Sequence, residues 1–255
     1  MARTRVIPVL LLRGRSLVKT VRFRKPNYLG DPINTIRLFN DKEVDEIVVL
    51  DIEATRKGAR PQFNYIEDLA GESFMPMAVG GGIGTIDDVR RILAAGVEKV
   101  VVNTAAVTRP GLIEAIAREY GSSTLVCSMD VRSSFLGVQR AVTHGGAKRL
   151  AEDPVAWASQ LERRGAGEIL VNSVDRDGIM GGYDLDLVRR VAEAVSVPVI
   201  ACGGAGDLSD MVAARDAGAT AAAAGSVFVY HGRHRAVLIQ YPRSTEIEEA
   251  FGEKD

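Results

Sequence analysis

Read against itself at an offset of 122 residues, the chain repeats. Glu46-Ile47 recurs as Glu168-Ile169, Val49 as Val171, Gly81-Gly82 as Gly203-Gly204, and Gly96 as Gly218. Asn103-Thr104 falls on Gly225-Ser226, each directly after an apolar run. Several matches at one offset in a chain of 255 residues mean two homologous halves. Each half reads as about four strand–helix units, and eight such units close into an α/β fold, a (β/α)8 or TIM barrel made of two-fold repeated half-barrels. The repeat also duplicates any ligand loop, so a phosphate site in one half predicts a second in the other.

The length is that of one such barrel, read here as a single domain over residues 1–242 with a charged, frayed C-terminal tail over 243–255. A hydrophobic content of 46% with 25% charged residues is that of a globular protein with a full core. A net charge of −1 gives no pull toward nucleic acid or an acidic membrane. No run of about 18 apolar residues is present for a membrane span. The Met-Ala-Arg-Thr-Arg start runs into a short apolar stretch without a cleavage site, and reads as a first strand rather than a signal peptide. Cys127 and Cys202 lie in apolar contexts and fit reduced thiols of a cytoplasmic protein. Neither has metal-ligand spacing, and no metal or cofactor is expected.

Continuous apolar runs alternate with helical patterns, as expected for strands buried on both faces. The strands read as residues 5–12, 46–50, 74–79, 99–102, 124–129, 168–171, 197–201 and 219–224. Helices begin at Asp31-Pro32, at Thr85 with Asp88 three residues on, at Asp153-Pro154 and at Asp207. Several end before glycines suited to positive φ, namely Gly96, Gly165 and Gly218. Residues 13–30 and 132–152 are too long for simple turns. They follow the first and fifth strands, at the catalytic end of a barrel, where long loops are usually functional.

Val79-Gly80-Gly81-Gly82-Ile83 follows strand three and opens a helix at Thr85; Cys202-Gly203-Gly204-Ala205-Gly206 does the same after strand seven. Glycines let backbone N–H groups approach an anion, and a helix N-terminus adds a favourable dipole. Each loop has a partner after the next strand, Asn103-Thr104 or Gly225-Ser226, so each pair can form a phosphate cup. The competing reading is a pair of tight turns with no ligand. Two cups at one barrel mouth imply a ligand with phosphate at both ends, and Gly204→Val should weaken its binding with the fold intact. Carboxylates at strand ends are the acid–base candidates: Asp130 after strand five, Asp51 after strand two, Asp175 and Asp177 after strand six. Asp51 and Asp175 can equally cap loops. Strand one offers Leu10-Leu11-Leu12 and no acid.

At the opposite strand ends stand Arg5, Glu46, Lys99 and Glu168. Facing one another they would plug the barrel or gate a passage; singly, such charges are usually solvated. Residues 13–30 carry Arg13, Arg15, Lys19, Arg22, Arg24 and Lys25, read mostly as a solvated flexible loop in which one or two could clamp an anion on closure. No cysteine sits in a nucleophile elbow, so the chain carries no glutaminase of its own. His144, His231 and His234 have no obvious nucleophilic partner, and the last two lie in a basic segment that could form an interaction surface.

These motifs resemble the cyclase subunit of imidazole glycerol phosphate synthase, a lyase of histidine biosynthesis. The resemblance runs from Arg5 to about Tyr241. It rests on Gly30-Asp31-Pro32, Leu50-Asp51-Ile52, Gly80-Gly81-Gly82-Ile83, Val102-Asn103-Thr104-Ala105-Ala106, Arg164-Gly165-Ala166-Gly167-Glu168-Ile169-Leu170, Asp175-Arg176-Asp177-Gly178 and Ala201-Cys202-Gly203-Gly204-Ala205-Gly206. It implies a heterodimer with a glutaminase that docks on the barrel's N-terminal face and sends ammonia through the core. Arg5, Glu46, Lys99 and Glu168 then match the salt-bridged gate of an ammonia channel. Lys19 matches a mobile-loop lysine that helps bind the bisphosphorylated substrate. Gly82, Asn103 and Thr104 match one phosphate site, Gly203, Gly204, Gly225 and Ser226 the other, and Asp130 one of two catalytic aspartates. Asp51 and Asp177 join the substrate-binding set. The second catalytic aspartate falls on Leu11, and leucine cannot move a proton.

The triple leucine and the run from Phe228 to Ile239 resemble a divergent branch of the family. As the resemblance implies, its members accompany a glutaminase and a sugar amidotransferase in making acetamidino groups on surface polysaccharides. The expected function is an ammonia-handling synthase subunit of a glutamine amidotransferase complex acting on a phosphorylated or sugar-linked substrate. The alternatives are an ordinary histidine-pathway cyclase and a non-catalytic conduit that activates its glutaminase.

Overall fold

The computed structural model describes residues 3–252. Eight parallel strands form a closed barrel: β1 (Arg5–Arg13), β2 (Ile47–Asp51), β3 (Met77–Gly80), β4 (Lys99–Val102), β5 (Leu125–Ser133), β6 (Glu168–Ser173), β7 (Val199–Cys202) and β8 (Ala221–Ala224). Each pairs with the next in sequence, β8 pairs with β1, and pairing of β5 with β6 joins the two halves. Outside run α1 (Pro32–Asn40), α2 (Phe63–Gly71), α3 (Ile86–Ala94), α4 (Gly111–Tyr120), α5 (Pro154–Arg163), α6 (Leu185–Ala194), α7 (Leu208–Asp216) and α8 (Ser244–Phe251). This is the TIM barrel expected from the repeat.

Strand parity explains the continuous apolar runs. Ile7, Val9, Val48, Val101, Val126, Leu170 and Ile200 point inward with Ala78, Ala221 and Ala223, and form a separate cluster inside the barrel. Their neighbours Val6, Leu10, Val49, Val100, Cys127, Ile169 and Val171 point outward and pack under the helices. The anticipated caps form. Asp31, Asp153 and Asp207 accept backbone N–H bonds at their helix starts, and Thr85 with Asp88 makes a reciprocal capping box. The repeat is visible in the backbone, where Gly96 (φ 94°) and its equivalent Gly218 (φ 102°) close α3 and α7 alike.

The structure departs from the sequence reading at strand starts and in the long connections. Strand three begins at Met77 and not at residue 74, and strand seven at Val199 and not at 197. Pro76 and Pro198 intervene and have no N–H for a ladder. Phe74 therefore lies in the connection before the strand, 87% exposed. Residues 13–30 are no flexible loop: Ser16–Val21 and Arg24–Gly30 form an antiparallel hairpin that continues β1. Its half-barrel equivalent is also a hairpin, in which β5 runs on to Ser133 and pairs with Gln139–Thr143. The segment read as a frayed tail carries α8, with Ile247 and Phe251 buried one turn apart. Burying two such side chains contributes roughly 1.5–3 kcal/mol each. The first two residues of the chain and the last three of the tail lie outside the described residues. No helix among the described residues is long and apolar enough to cross a membrane.

Candidate functional site

At the C-terminal ends of the strands lies one cavity of about 530 Å³. Leu11, Lys19, Asp51, Gly82, Asn103, Thr104, Asp130, Asp177, Gly203, Gly204, Gly225 and Ser226 all line it. The floor has an apolar side, Val9, Leu11, Leu50 and Val101, facing a polar one built on Asn103, Asp130 and Asn172.

The two glycine loops adopt backbone that only glycine accepts easily. Gly82 (φ 73°) would bring a Cβ to 2.5 Å from the Ala59 carbonyl, and at Gly204 (φ 129°) a Cβ would strike the backbone of Gly182. Gly204→Val therefore strains the loop itself, contrary to the expectation of an intact fold. Beside the first loop, Thr104 Oγ1 accepts from the His144 N–H at 3.1 Å, which leaves its own hydrogen free to donate. Beside the second, Ser226 Oγ is buried without a hydrogen-bond partner. An orphaned hydroxyl next to a glycine backbone is the chemistry an anion would complete.

Asp130 is held from both sides: Asn103 Nδ2 donates to Oδ2 at 2.8 Å and Asn172 Nδ2 to Oδ1 at 2.9 Å. Burial raises its pKa, the two asparagines lower it and Asp177 raises it, for a result of about 6. A carboxyl so poised can exchange a proton near neutral pH. Cys202 also faces the cavity, but burial pushes its thiol up to about 12, which leaves it un-ionised.

Lys19, on the first hairpin, is 5% exposed and pairs with Asp177 at 2.8 Å, while Thr20 Oγ1 reaches the other Asp177 oxygen at 3.4 Å. The lysine stem lies against Gly225, where a Cβ would stand 3.0 Å from Lys19 Cε. Its cation is thereby beside the second cup. Asp51 caps the one-turn helix Ala54–Lys57, accepting from the Glu53 and Ala54 N–H groups at 2.9 and 3.0 Å. Asp175 accepts from the Ser133 N–H at 2.7 Å, tying β5 to the loop after β6. Of the six basic residues in the first hairpin, Lys19 alone lines the cavity with its side chain buried.

At the other end of the barrel Arg5, Glu46, Lys99 and Glu168 meet in one layer. Lys99 Nζ stands 3.1 Å from both Glu46 and Glu168, and Arg5 bonds Glu46 and lies 3.2 Å from Glu168. None of the four is freely solvated, their side chains being 3–27% exposed. Glu168 Oε2 is buried with no partner. Directly above the layer sits the inward apolar cluster, and above that the cavity.

Residue-by-residue reasoning missed Asn172 and the arginines Arg56, Arg60 and Arg109 at the cavity rim. Asn172 could have been found by parity: Glu168, Leu170 and Asn172 alternate along β6 and all point inward. The arginines carry no periodic signal, because Arg56 lies on a single helical turn and Arg60 and Arg109 on irregular connections.

A closed parallel barrel, duplicated by halves, with a buried polar centre at the carboxyl ends of its strands, defines the class of (β/α)8 barrel proteins. A family model described as "Histidine biosynthesis protein" matches residues 5–235, and the chain belongs to that family, among its HisF-like members. It is 49% identical over 249 residues to a Pseudomonas aeruginosa protein named "Putative imidazole glycerol phosphate synthase subunit hisF2", covering 97% of this chain and 99% of that one. A Leptospira borgpetersenii protein, "Putative imidazole glycerol phosphate synthase subunit HisF", is 42% identical over 98% of this chain and 100% of its own. "Imidazole glycerol phosphate synthase subunit HisF" of Thermobifida fusca is 44% identical over 88% of this chain and 90% of its own.

Proposed function

We propose that this chain is the synthase subunit of a glutamine amidotransferase, receiving ammonia from a separate glutaminase docked at the charged end of the barrel. The observation that carries the reading is a coaxial stack: the Arg5–Glu46–Lys99–Glu168 layer, an apolar barrel core, and a polar cavity on Asp130. Neutral ammonia can cross an apolar core that excludes ions, whose transfer costs far more. The salt-bridged layer then gates entry. In the cavity the two glycine cups, with Thr104, Ser226 and Lys19, hold an acceptor that carries phosphate at both ends or a phosphate-linked sugar. Asp51 holds the one-turn helix Ala54–Lys57 beside the first cup, where Thr55 Oγ1 accepts from the Gly82 N–H. Asp130 takes a proton from the attacking nitrogen and returns it to the departing oxygen.

By the family resemblance Leu11 takes the position of a second acid of a cyclase pair; it lines the cavity and packs against the inward apolar cluster. The reading is therefore a divergent branch whose nitrogen goes to a sugar-linked acceptor, in surface-sugar amidination, with a sugar amidotransferase as a further partner. A second reading, an authentic cyclase of histidine biosynthesis, is favoured by the intact Asp130 site and by relatives named as synthase subunits. The test is the bisphosphorylated ribulosyl precursor with ammonium. The divergent reading expects no turnover from the wild-type chain and a measurable gain from Leu11→Asp. Wild-type turnover in the ordinary range of about 1–10³ s⁻¹ would establish the cyclase instead. A bare conduit, the third reading, expects Asp130→Asn to leave the complex's output unchanged.

A further inference from the structure

The Asp130–Asn172 pair holds an unused hydrogen-bonding capacity at the point where the barrel core opens into the cavity. Asn172 is 9% exposed, and its Nδ2 is committed to Asp130. An ionised carboxylate accepts only, so the amide must turn its N–H toward Asp130 and its oxygen away. That oxygen, Oδ1, is buried with no partner. It packs against the second glycine loop, where a Cβ on Gly203 would stand 2.5 Å away. Asp130 itself accepts one bond on each oxygen, and a carboxylate offers about four lone-pair sites. Two carboxylate lone pairs and one amide oxygen are therefore adjacent, and all are acceptors.

Such a set repels anions and has too few oxygens for calcium, which takes six to eight. It suits a small donor that is neutral or cationic and rich in N–H. Position narrows this further. Asn172 lies two residues above Leu170 of the apolar cluster, which lies two above Glu168 of the charged layer, all on the inward face of β6. A molecule rising along this strand meets the Asn172 oxygen directly above Leu170 of the apolar cluster.

We propose that Asn172 Oδ1 and the free lone pairs of Asp130 form a nitrogen-receiving subsite, which holds ammonia or ammonium beside the carboxylate. The conduit reading supplies the route by which nitrogen arrives; the subsite itself stands on the geometry of these two residues. Asn172 has two tasks, positioning Asp130 through its N–H and accepting from the bound nitrogen through its oxygen.

The experiment uses the whole chain with ¹⁵N-labelled asparagine at pH 8, where Asp130 is ionised. The side-chain amide resonances of Asn172 and Asn103 are followed while ammonium chloride, or potassium chloride at the same ionic strength, is added. The expected result is a saturable shift of both with ammonium and none with potassium, which is a cation without N–H. Asn172→Leu, which keeps the size and loses both the acceptor and the N–H that holds Asp130, should weaken the response at Asn103 by about tenfold or more, the worth of one hydrogen bond to a charged group. Asn172→Asp, which keeps an acceptor, should retain it. Asn172→Ala replaces the leucine variant if that one does not fold. An equal shift with potassium, or an undiminished ammonium response in Asn172→Leu or →Ala, overturns the subsite, as does its loss in Asn172→Asp. Failure of the conduit reading looks different: glutamine with the glutaminase yields no transfer while ammonium still shifts Asn172.

Discussion

Asp130 is the residue whose protonation connects stability to chemistry. Its pKa of about 6 in the fold exceeds the ordinary aspartate value of about 3.9, so between these limits the folded chain binds more protons than the unfolded one. Stability contributed by this residue is therefore full below about pH 4 and is lost as pH rises through about 6. A two-unit gap corresponds to roughly 2–3 kcal/mol. Asp130→Asn removes the ionisation, and the Asn172 amide can turn to present its free oxygen to the new N–H group. Urea unfolding of both proteins from pH 3.5 to 8 should then show the variant gaining on wild type by roughly that amount between about pH 4 and 6, with a constant gap above. A gap independent of pH would mean that Asp130 does not titrate there. The same variant should lose at least about tenfold in nitrogen transfer, since acid–base groups contribute about 10²–10⁴-fold. Wild-type transfer should rise as Asp130 ionises near pH 6.

At the scale of elements, the two halves differ in what their loops demand. Gly204→Val confuses binding with backbone strain, whereas Ser226→Ala removes a hydroxyl that bonds nothing in the fold. Ser226→Ala should leave the unfolding midpoint unchanged and weaken binding of a bisphosphorylated sugar by roughly 10–100-fold in calorimetry, the worth of a hydrogen bond to a charged group. Undiminished affinity would leave the second loop a tight turn. Ile247→Ala tests α8: a docked helix should lose about 2–4 kcal/mol, and an unaltered denaturation midpoint would mean that its buried stripe holds nothing. These elements also mark the limits of the sequence. Barrel strands and caps were legible because continuous apolar runs and Asp-Pro or Thr-x-x-Asp signals are local. The hairpins were not, because their pairing is decided by Asp177 and Asp175 about 150 and 40 residues away, through Arg22, Lys19 and Ser133. Helix α8 was obscured because Ile247 and Phe251 are its only large apolar residues among glutamates.

For the whole molecule the question is whether the charged layer is structural or controls traffic. The quartet was visible as four charges at strand starts, but its closure depends on barrel geometry that brings β1, β2, β4 and β6 to one axis. Lys99 joins both carboxylates, so Lys99→Ala leaves Glu46 and Glu168 facing each other with only Arg5 between them. Removing one partner of a buried pair typically costs about 3–5 kcal/mol, and the partial exposure of Lys99 places this case at or below the lower end. A fall in unfolding midpoint is thus expected on either view. The two views separate on the route of nitrogen. Ammonia released from glutamine by a partner at the charged end must cross the layer, whereas ammonium from bulk solution can enter the cavity from its open side. Lys99→Ala should therefore change the glutamine-dependent rate by several-fold more than the ammonium-dependent rate, measured on the same preparation with the partner present. Equal losses by the two routes would mean that the layer holds the barrel together and gates nothing.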